Sequence, residues 1–106
     1  MFHVTSVANR ASILANGLDW RLMRDARGIA GSPVPEQQGC FLCIDEFDAD
    51  LFVRMNNTGG AVDVWEVSGI SESELVESPE GFHYLPRPIP RLQLRLARTE
   101  EPRSRR

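Results

Sequence analysis

The sequence has no long hydrophobic run, and its N-terminus carries no basic segment followed by an apolar one. A membrane-spanning helix needs about 20 mostly apolar residues, and a secretory signal needs that basic-then-apolar order, so neither is predicted. The expected location is therefore the cytoplasm, with no membrane partner. A net charge of −3 also argues against a protein that binds nucleic acid through its overall charge.

Lysine is absent, so all 12 basic side chains are arginines, a bias that indicates GC-rich coding rather than function. Cysteine is scarce as well, since Cys40 and Cys43 are the only two and occur as CFLC. A four-ligand zinc site needs a second such pair, and positions three apart in a strand point to opposite faces. We therefore expect no metal site and two buried thiols.

The 106 residues suffice for one domain with a modest core, and the composition is that of an ordinary globular protein. We expect this domain to cover residues 1–97. The remaining residues, 98–106, read RTEEPRSRR and are predicted to be a disordered tail.

The N-terminal half predicts strand, helix, long loop, strand and helix. FHVT is typical of a strand, and Ser6 is placed to cap a helix that ends at Gly17, with Leu14 towards the core and Arg10 towards solvent. QGCFLCI predicts a buried strand, and DEFDADLFVRMN predicts a second helix. The predicted apolar stripe of that second helix consists of Phe47, Leu51, Phe52 and Met55.

The C-terminal half predicts three further strands. AVDVWEV and FHYL are typical of strands, SESEL predicts one helical turn, and the strict alternation of RLQLRLA places Leu92, Leu94 and Leu96 on one strand face. The predicted class is therefore α+β, with two main helices and a small, twisted, mostly antiparallel sheet.

The segment between the helices, residues 19–37, lacks a regular period and is broken by glycine and proline. Arg21, Arg24 and Arg27 recur in it at a spacing of three. Two interpretations stay open, a solvated basic patch and a cradle for phosphate. If the arginines form a cradle for phosphate, residues 21–34 are expected to border a ligand cleft.

His3 and Thr5 stand two apart in the first predicted strand, so both side chains lie on one face. A neutral imidazole and a hydroxyl can hydrogen-bond ribose hydroxyls. The alternative is a histidine that only completes the hydrogen bonds of the core.

The stretch FHVTS-VANRASILANGLD resembles the start of the ADP-ribosyltransferase superfamily, in which a strand with His-x-Thr or His-x-Ser precedes a helix ending in Gly-Leu. DNA-targeting ADP-ribosyltransferase toxins, rifampin ADP-ribosyltransferases and RNA 2′-phosphotransferases share this pattern. The later order of AVDVWEV, an acidic turn with Leu75, and PRPIPRLQL is also similar. The resemblance implies a compact ADP-ribosyltransferase-like fold that uses NAD as its substrate.

The resemblance also implies a site. His3 and Thr5 match the positions that help hold the nicotinamide-side ribose and the amide of NAD, with Ser6 also on the ribose side. Arg24 and Arg27 would steady the pyrophosphate. An aromatic residue, Phe41 or Phe47, would stack on nicotinamide, although tyrosine is more usual there and core packing is the alternative for both.

The catalytic position of the third motif falls on His83, where the superfamily usually has glutamate, and Glu66 is a further candidate acid. A glutamate there would stabilise the positive charge that develops as nicotinamide leaves, which a histidine does not do in the same way. The expected function is an NAD-binding ADP-ribosyltransferase-like protein with an unknown acceptor. The alternatives are a non-catalytic binding protein that retains the fold and an RNA 2′-phosphotransferase.

Overall fold

The computed structural model describes residues 1–19, 21, 39–56 and 60–102. The helices and strands follow in the order β1 (Phe2–Ser6), α1 (Arg10–Asn16), β2 (Cys40–Phe41), α2 (Glu46–Asn56), β3 (Val62–Val67), β4 (Val76–Glu77), β5 (His83–Leu85) and β6 (Leu94–Glu100). Short 3₁₀ turns cover Val7–Asn9, Glu72–Glu74 and Arg91–Gln93. The predicted α+β class is confirmed, since both α-helices and antiparallel sheets occur within these ranges.

The described strands form two sheets rather than the single sheet that was predicted. The first sheet has the order β1-β3-β6 and the second has the order β2-β5-β4, with every pair antiparallel. β2 pairs with β5, but Cys43, just beyond β2, pairs with β1 instead. There Phe2 and Cys43 exchange backbone hydrogen bonds of 2.8 and 2.7 Å. This bridge joins the sheets along β1.

The first sheet is covered on both sides, because successive side chains of β3 point to opposite faces. Val62 and Val64 pack in a cluster with Phe52 of α2, and we call this side the α2 face. Trp65 and Val67 pack on the other side in a cluster that includes Ile13, Leu18, Leu42 and Leu85, and we call it the α1 face. The presence of apolar residues on both faces of β3 is thereby explained.

The local signals that bound the helical segment are found at the predicted residues, although Ser6 caps the 3₁₀ turn Val7–Asn9 rather than α1 itself. The hydroxyl of Ser6 accepts a hydrogen bond of 3.1 Å from the backbone N–H of Ala8, and Gly17 ends the helix with φ of 77°. The rotation of α1 differs from the prediction, because Ile13 is buried and Leu14 is 48% exposed.

Helix α2 also presents a different face to the sheet from the predicted one. Phe47 is 73% exposed and Leu51 is 42% exposed, whereas the buried residues are Ala49, Phe52 and Val53. Phe52 makes an edge-to-face contact with Phe82, with ring centroids 5.2 Å apart. Phe47 and Leu51 stand four apart and therefore share the outward side of the helix.

The last strand begins later and extends further than the alternation predicts. Leu92 lies in the 3₁₀ turn before β6 and is 97% exposed, while Leu94 is buried. Strand β6 then continues to Glu100, so residues 98–100, predicted to begin a disordered tail, pair with β3. Within the described residues, no helix combines the length and apolar character needed to cross a membrane.

Cys40 and Cys43 are both buried and form no disulfide. Burial is the main cause that raises the pKa of each thiol to about 12. The Cys40 thiol lies 3.5 Å from the carbonyl oxygen of Leu18 and packs in the α1-face cluster. Both cysteines thus act as small core residues, in agreement with the expectation of buried thiols.

Candidate functional site

His3 lies on the α1 face of β1 and is 8% exposed. Its Nδ1 atom is 2.7 Å from the carbonyl oxygen of Phe41. A carbonyl oxygen only accepts, so Nδ1 carries the proton and Nε2 is left as an acceptor. Nε2 is buried and has no hydrogen-bond partner among the described residues.

Burial keeps the His3 imidazole uncharged at neutral pH. It lowers the pKa of His3 from 6.5 to about 4, and the hydrogen bond to Phe41 opposes this effect only in part. Since a protonated ring would have to lie inside the core, the neutral form is the one that a ligand would meet.

We expect the stability of the fold to decrease as the pH is lowered from about 6.5 to about 4. In this window the unfolded chain binds a proton at His3 and the folded chain does not, a difference of about 3 kcal/mol for the shift from 6.5 to about 4. Thermal melts across this range should show a steeper loss for wild type than for His3→Asn, which has no titrating ring.

The control for this measurement is Ile13→Val, which trims the same buried cluster but leaves His3 in place. Its melting temperature should be lower at every pH, with the slope of wild type. Equal slopes for wild type and His3→Asn would contradict the neutral, buried state of His3.

Trp65 is the cross-strand partner of His3 in β3. It is fully buried, and its indole Nε1 has no hydrogen-bond partner among the described residues. The guanidinium of Arg91 lies 6.0 Å from the centre of the indole ring and donates a hydrogen bond of 2.7 Å to the carbonyl oxygen of Leu94. Among the described residues, the α1 face therefore holds an acceptor and a donor without partners on neighbouring strands.

Thr5 and Ser6, the other two candidate ribose contacts, have partners within the chain. The Thr5 hydroxyl accepts a hydrogen bond of 2.9 Å from the side-chain amide of Asn9, and the Ser6 hydroxyl caps the following turn. Both hydroxyls thus help to fix the start of the helical segment. Thr5 lies two residues further along β1 than His3 and therefore shares the α1 face with it.

A buried ion pair next to Thr5 was not predicted from the sequence. Asp63 is fully buried and receives hydrogen bonds of 2.8 and 2.7 Å from Nε and Nη2 of Arg10, and one of 2.7 Å from the Thr99 hydroxyl. Burial raises the pKa of Asp63, but these hydrogen bonds and the Arg10 charge outweigh it and hold the pKa below its usual value. The available signal was an acid inside a run of valines, VDV.

Glu66 lies on the opposite side of the first sheet from His3. Its partner in β1 is Phe2, and Phe2 and Val64 both line the α2 face. Its carboxylate accepts a hydrogen bond of 2.8 Å from Nε of Arg95 and borders a groove of about 230 Å³ beside Glu46 and Arg98. The structure therefore does not bring Glu66 together with His3.

The His3 side chain and the His83 backbone both hydrogen-bond the peptide group between Phe41 and Leu42, on its two opposite sides. The Phe41 carbonyl accepts from His3, and the following N–H, that of Leu42, donates a hydrogen bond of 3.0 Å to the His83 carbonyl oxygen. The side chain of His83 is half-buried and shares the face of Leu85. That the two imidazoles line one cleft stays a prediction.

The aromatic candidates differ in their surroundings. The ring of Phe41 is half-buried and lies against Tyr84, with centroids 5.8 Å apart, so it packs within the second sheet. Phe47 is exposed on the surface of α2 and does not pack in the core. Among the described contacts, neither aromatic ring touches His3. The histidine contacts Phe41 only through the backbone carbonyl oxygen.

Two of the three predicted phosphate-binding arginines, Arg24 and Arg27, lie outside the described residues. Arg21 is described, and its Nε and Nη2 atoms lie 3.0 and 2.9 Å from the carboxylate of Asp19. The Arg21 hydrogen bond is the main cause that holds the pKa of Asp19 below its usual value. Arg21 is therefore engaged with its own segment.

No family model matches the chain, and neither a curated protein nor a solved structure matches it. Within the described ranges, no group of three or more histidine, cysteine or acidic residues is placed to hold a metal ion. The arrangement that the structure does provide is a neutral acceptor at His3 and a neutral donor at Trp65. Such a pair suits an uncharged polar group.

Proposed function

We propose that this domain is an ADP-ribosyltransferase-like protein that binds NAD or a related nicotinamide nucleotide on the α1 face. The observation that carries the proposal is His3, a neutral histidine held through Nδ1 with its buried Nε2 left to accept a hydrogen bond. Buried polar atoms without partners are rare in proteins, and each one calls for an explanation. A ligand hydrogen bond to Nε2 is such an explanation.

The surroundings of His3 support the proposal. The histidine lies on the first strand, a serine cap and a helix follow, and the helix ends at Gly17 before the buried Leu18. This is the order of elements that the sequence resemblance implies. The cytoplasm is the proposed location, where NAD is present and two unpaired buried thiols persist.

Binding is better supported than transfer. Departure of nicotinamide requires stabilisation of a developing positive charge, usually by a carboxylate. On the α1 face, the described carboxylate of Asp63 is paired with Arg10 and Thr99, and Glu66 lies on the other face. We therefore propose nucleotide binding as the first candidate function. The second candidate is transfer of ADP-ribose to an unknown acceptor, with His83 at the third-motif position.

The test is a thermal-shift and calorimetry series with NAD, ADP-ribose and nicotinamide. A ligand at about 100 times its Kd stabilises the folded state by about 2.7 kcal/mol, so the melting temperature of wild type should rise with NAD. His3→Asn should lose this rise, because asparagine keeps a donor for the Phe41 carbonyl but removes Nε2.

Ile13→Val again serves as the control, because it loosens the α1-face cluster and should keep the NAD-induced rise. The absence of any shift in wild type would overturn the proposal. A shift that survives in His3→Asn would move the site away from His3. Release of free nicotinamide by wild type, abolished in His83→Ala, would favour the transferase over the binding domain.

A further inference from the structure

We infer that two copies of this chain pair through the outer edge of β6 and form one continuous six-stranded sheet. The inference is independent of the proposed function and concerns how the domain associates. It rests on three properties of β6: the direction of its backbone groups, the spacing that a β-bulge gives them, and the order of its charges.

The direction of the β6 backbone groups follows from the two ladders of the first sheet. Val67 donates a hydrogen bond of 2.8 Å to Met1, and Ala61, just before β3, accepts one of 3.1 Å from Val7. Bonding direction alternates along a strand, so the odd-numbered residues of β3 bond towards β1 and the even-numbered ones towards β6. The residues of β6 opposite the odd-numbered ones are Leu94, Leu96 and Thr99. Their N–H and C=O groups therefore face outwards, away from β3.

Two of these three residues have outward groups that are open. The N–H of Leu94 donates to the Arg91 carbonyl oxygen, and the Leu94 carbonyl accepts a hydrogen bond of 2.7 Å from the Arg91 guanidinium. Within the described part of the chain, the outward N–H and C=O groups of Leu96 and Thr99 have no hydrogen-bond partner. Both residues are exposed, so four backbone groups remain for pairing at this edge.

A β-bulge sets the spacing of these four groups. Consecutive residues of β3 pair with Leu96 and Arg98, so Ala97 is the extra residue. The outward-facing residues of a regular strand are two apart, but Leu96 and Thr99 are three apart. Such a bulge keeps ordinary strands off an edge, because they cannot meet both residues in one register. A second copy of β6 carries the same spacing and matches it.

One antiparallel register satisfies all four groups. When Leu96 of one copy lies opposite Thr99 of the other, the reciprocal pair forms as well, and each pair exchanges two backbone hydrogen bonds. A register that sets Thr99 opposite Thr99 would put Leu96 opposite Pro102, which has no N–H. A register that sets Leu96 opposite Leu96 would put Thr99 opposite Gln93, whose N–H and C=O are already bonded to Pro90 and Ser68.

The charges of β6 match in this same register. Arg95 of each copy stands opposite Glu100 of the other, and both side chains lie on the α2 face. Opposite charges at directly opposed positions stabilise an antiparallel pair, and like charges destabilise it. The Arg95 side chain is 71% exposed in its pair with Glu66, so it can contact a second carboxylate. The remaining opposed pair, Ala97 with Arg98, brings no like charges together.

The expected dimer is symmetric and weak. One short strand from each copy gives less contact than the about 1,200 Å² at which stable interfaces begin, so monomer and dimer should exchange. The twofold axis lies perpendicular to the sheet, because the two copies of β6 are antiparallel and share their faces. Both α1 faces therefore lie on the same side of the combined sheet.

The experiment is sedimentation velocity of the full chain at low salt, from about 1 μM to about 1 mM, a range that covers moderate and weak association. The mass of wild type should rise with concentration from the 11.9 kDa of one chain towards twice that value. Wild type that stays monomeric over the whole range would overturn the inference.

Reversal of one charge tests the register. Arg95→Glu sets glutamates opposite each other and Glu100→Arg sets arginines opposite each other, so each variant alone should dimerise at least about fivefold more weakly than wild type. An equimolar mixture of the two restores opposite charges at both positions and should recover the affinity of wild type. The matched control is Arg87→Glu, which reverses an exposed, ion-paired arginine outside β6 and should dimerise like wild type.

Leu96→Pro tests the backbone contact. It removes the outward N–H and keeps the ladder with β3, and proline is tolerated at such positions of edge strands. The folded variant should stay monomeric, and if it does not fold, the charge reversals and their mixture decide. Single reversals that dimerise as tightly as wild type, or a mixture no tighter than they are, would overturn the inference. The contact would then lie elsewhere, with the exposed Phe47 of α2 as the next surface to replace.

Discussion

Replacing Arg10 with alanine is expected to lower the melting temperature far more than the loss of an ordinary surface arginine. The Arg10 side chain is 37% exposed, but its partner Asp63 is fully buried. Breaking a fully buried ion pair destabilises a fold by about 3–5 kcal/mol, and the loss here should be smaller, because solvent screens the partly exposed Arg10 and Asp63 keeps its hydrogen bond from Thr99. Thermal or urea melts of the variant and wild type give the size of the loss.

The matched control is Arg87→Ala, which breaks the exposed pair between Arg87 and Glu74. Exposed pairs contribute about 0–1 kcal/mol, so this variant should melt close to wild type. The double variant Arg10→Leu with Asp63→Leu should be more stable than Arg10→Ala, because it leaves no buried charge behind. Equal effects of Arg10→Ala and Arg87→Ala would contradict the buried pair.

The same pair predicts a response to acid. The folded pKa of Asp63 lies below its usual value, so its stabilising contribution is present above about pH 4 and is lost as the pH falls through the folded pKa. In Arg10→Ala the carboxylate keeps its burial and loses two hydrogen bonds, which raises its pKa. Acid unfolding of that variant should therefore begin at a higher pH than in wild type.

Replacing Gly17 with alanine is expected to be the most damaging glycine substitution among the described residues. Gly17 has φ of 77° and ψ of −169°, a region adopted almost only by glycine, where an L-residue with a Cβ costs about 1–3 kcal/mol. A Cβ there would lie 2.5 Å from the Ile89 oxygen and 2.9 Å from the Arg91 nitrogen. Backbone atoms cannot rotate aside, and Leu18 and Ile89 exchange two hydrogen bonds of 2.9 Å at this crossing.

Gly81→Ala separates the two contributions. Gly81 has a similar φ of 92°, but the nearest atom to its added Cβ is the Glu77 carboxylate at 3.9 Å. It should show only the backbone cost, whereas Gly17→Ala should show that cost together with the steric one. Chemical denaturation of both variants measures the difference. Similar losses for the two would mean that the crossing at Ile89 adjusts easily.

The local parts of the fold are predictable because their causes lie within a few residues. Ser6 as a cap, Gly17 as a helix end and the turn at SESEL follow from side-chain and backbone chemistry at neighbouring positions. The turn is confirmed in detail, since Ser71 and Glu74 form a reciprocal cap. These signals are sufficient to establish the α+β class.

The candidate site depends on contacts between distant segments, and these are not visible in a single sequence. Glu66 and His3 are both plausible ligand contacts by residue type, but the register of β1 against β3 puts them on opposite faces. The pairing of Arg10 with Asp63 depends on the same register and on the rotation of α1. His3 itself is correctly found on the first strand, yet its depth of burial follows from packing of the second sheet.

The strand order of the first sheet has a consequence for how the chain folds. β1 pairs with β3, which follows only after both helices, and β3 then pairs with β6 after the whole second sheet. β4 and β5, by contrast, are close in sequence and can pair early as a hairpin. The long connections between β1 and β3, and between β3 and β6, must close before these strands can pair. Such closure is slow, so we expect folding on the slow side for a domain of this size. Until β3 arrives, β1 has an unpaired apolar edge, and during this interval the nascent chain is most exposed to aggregation.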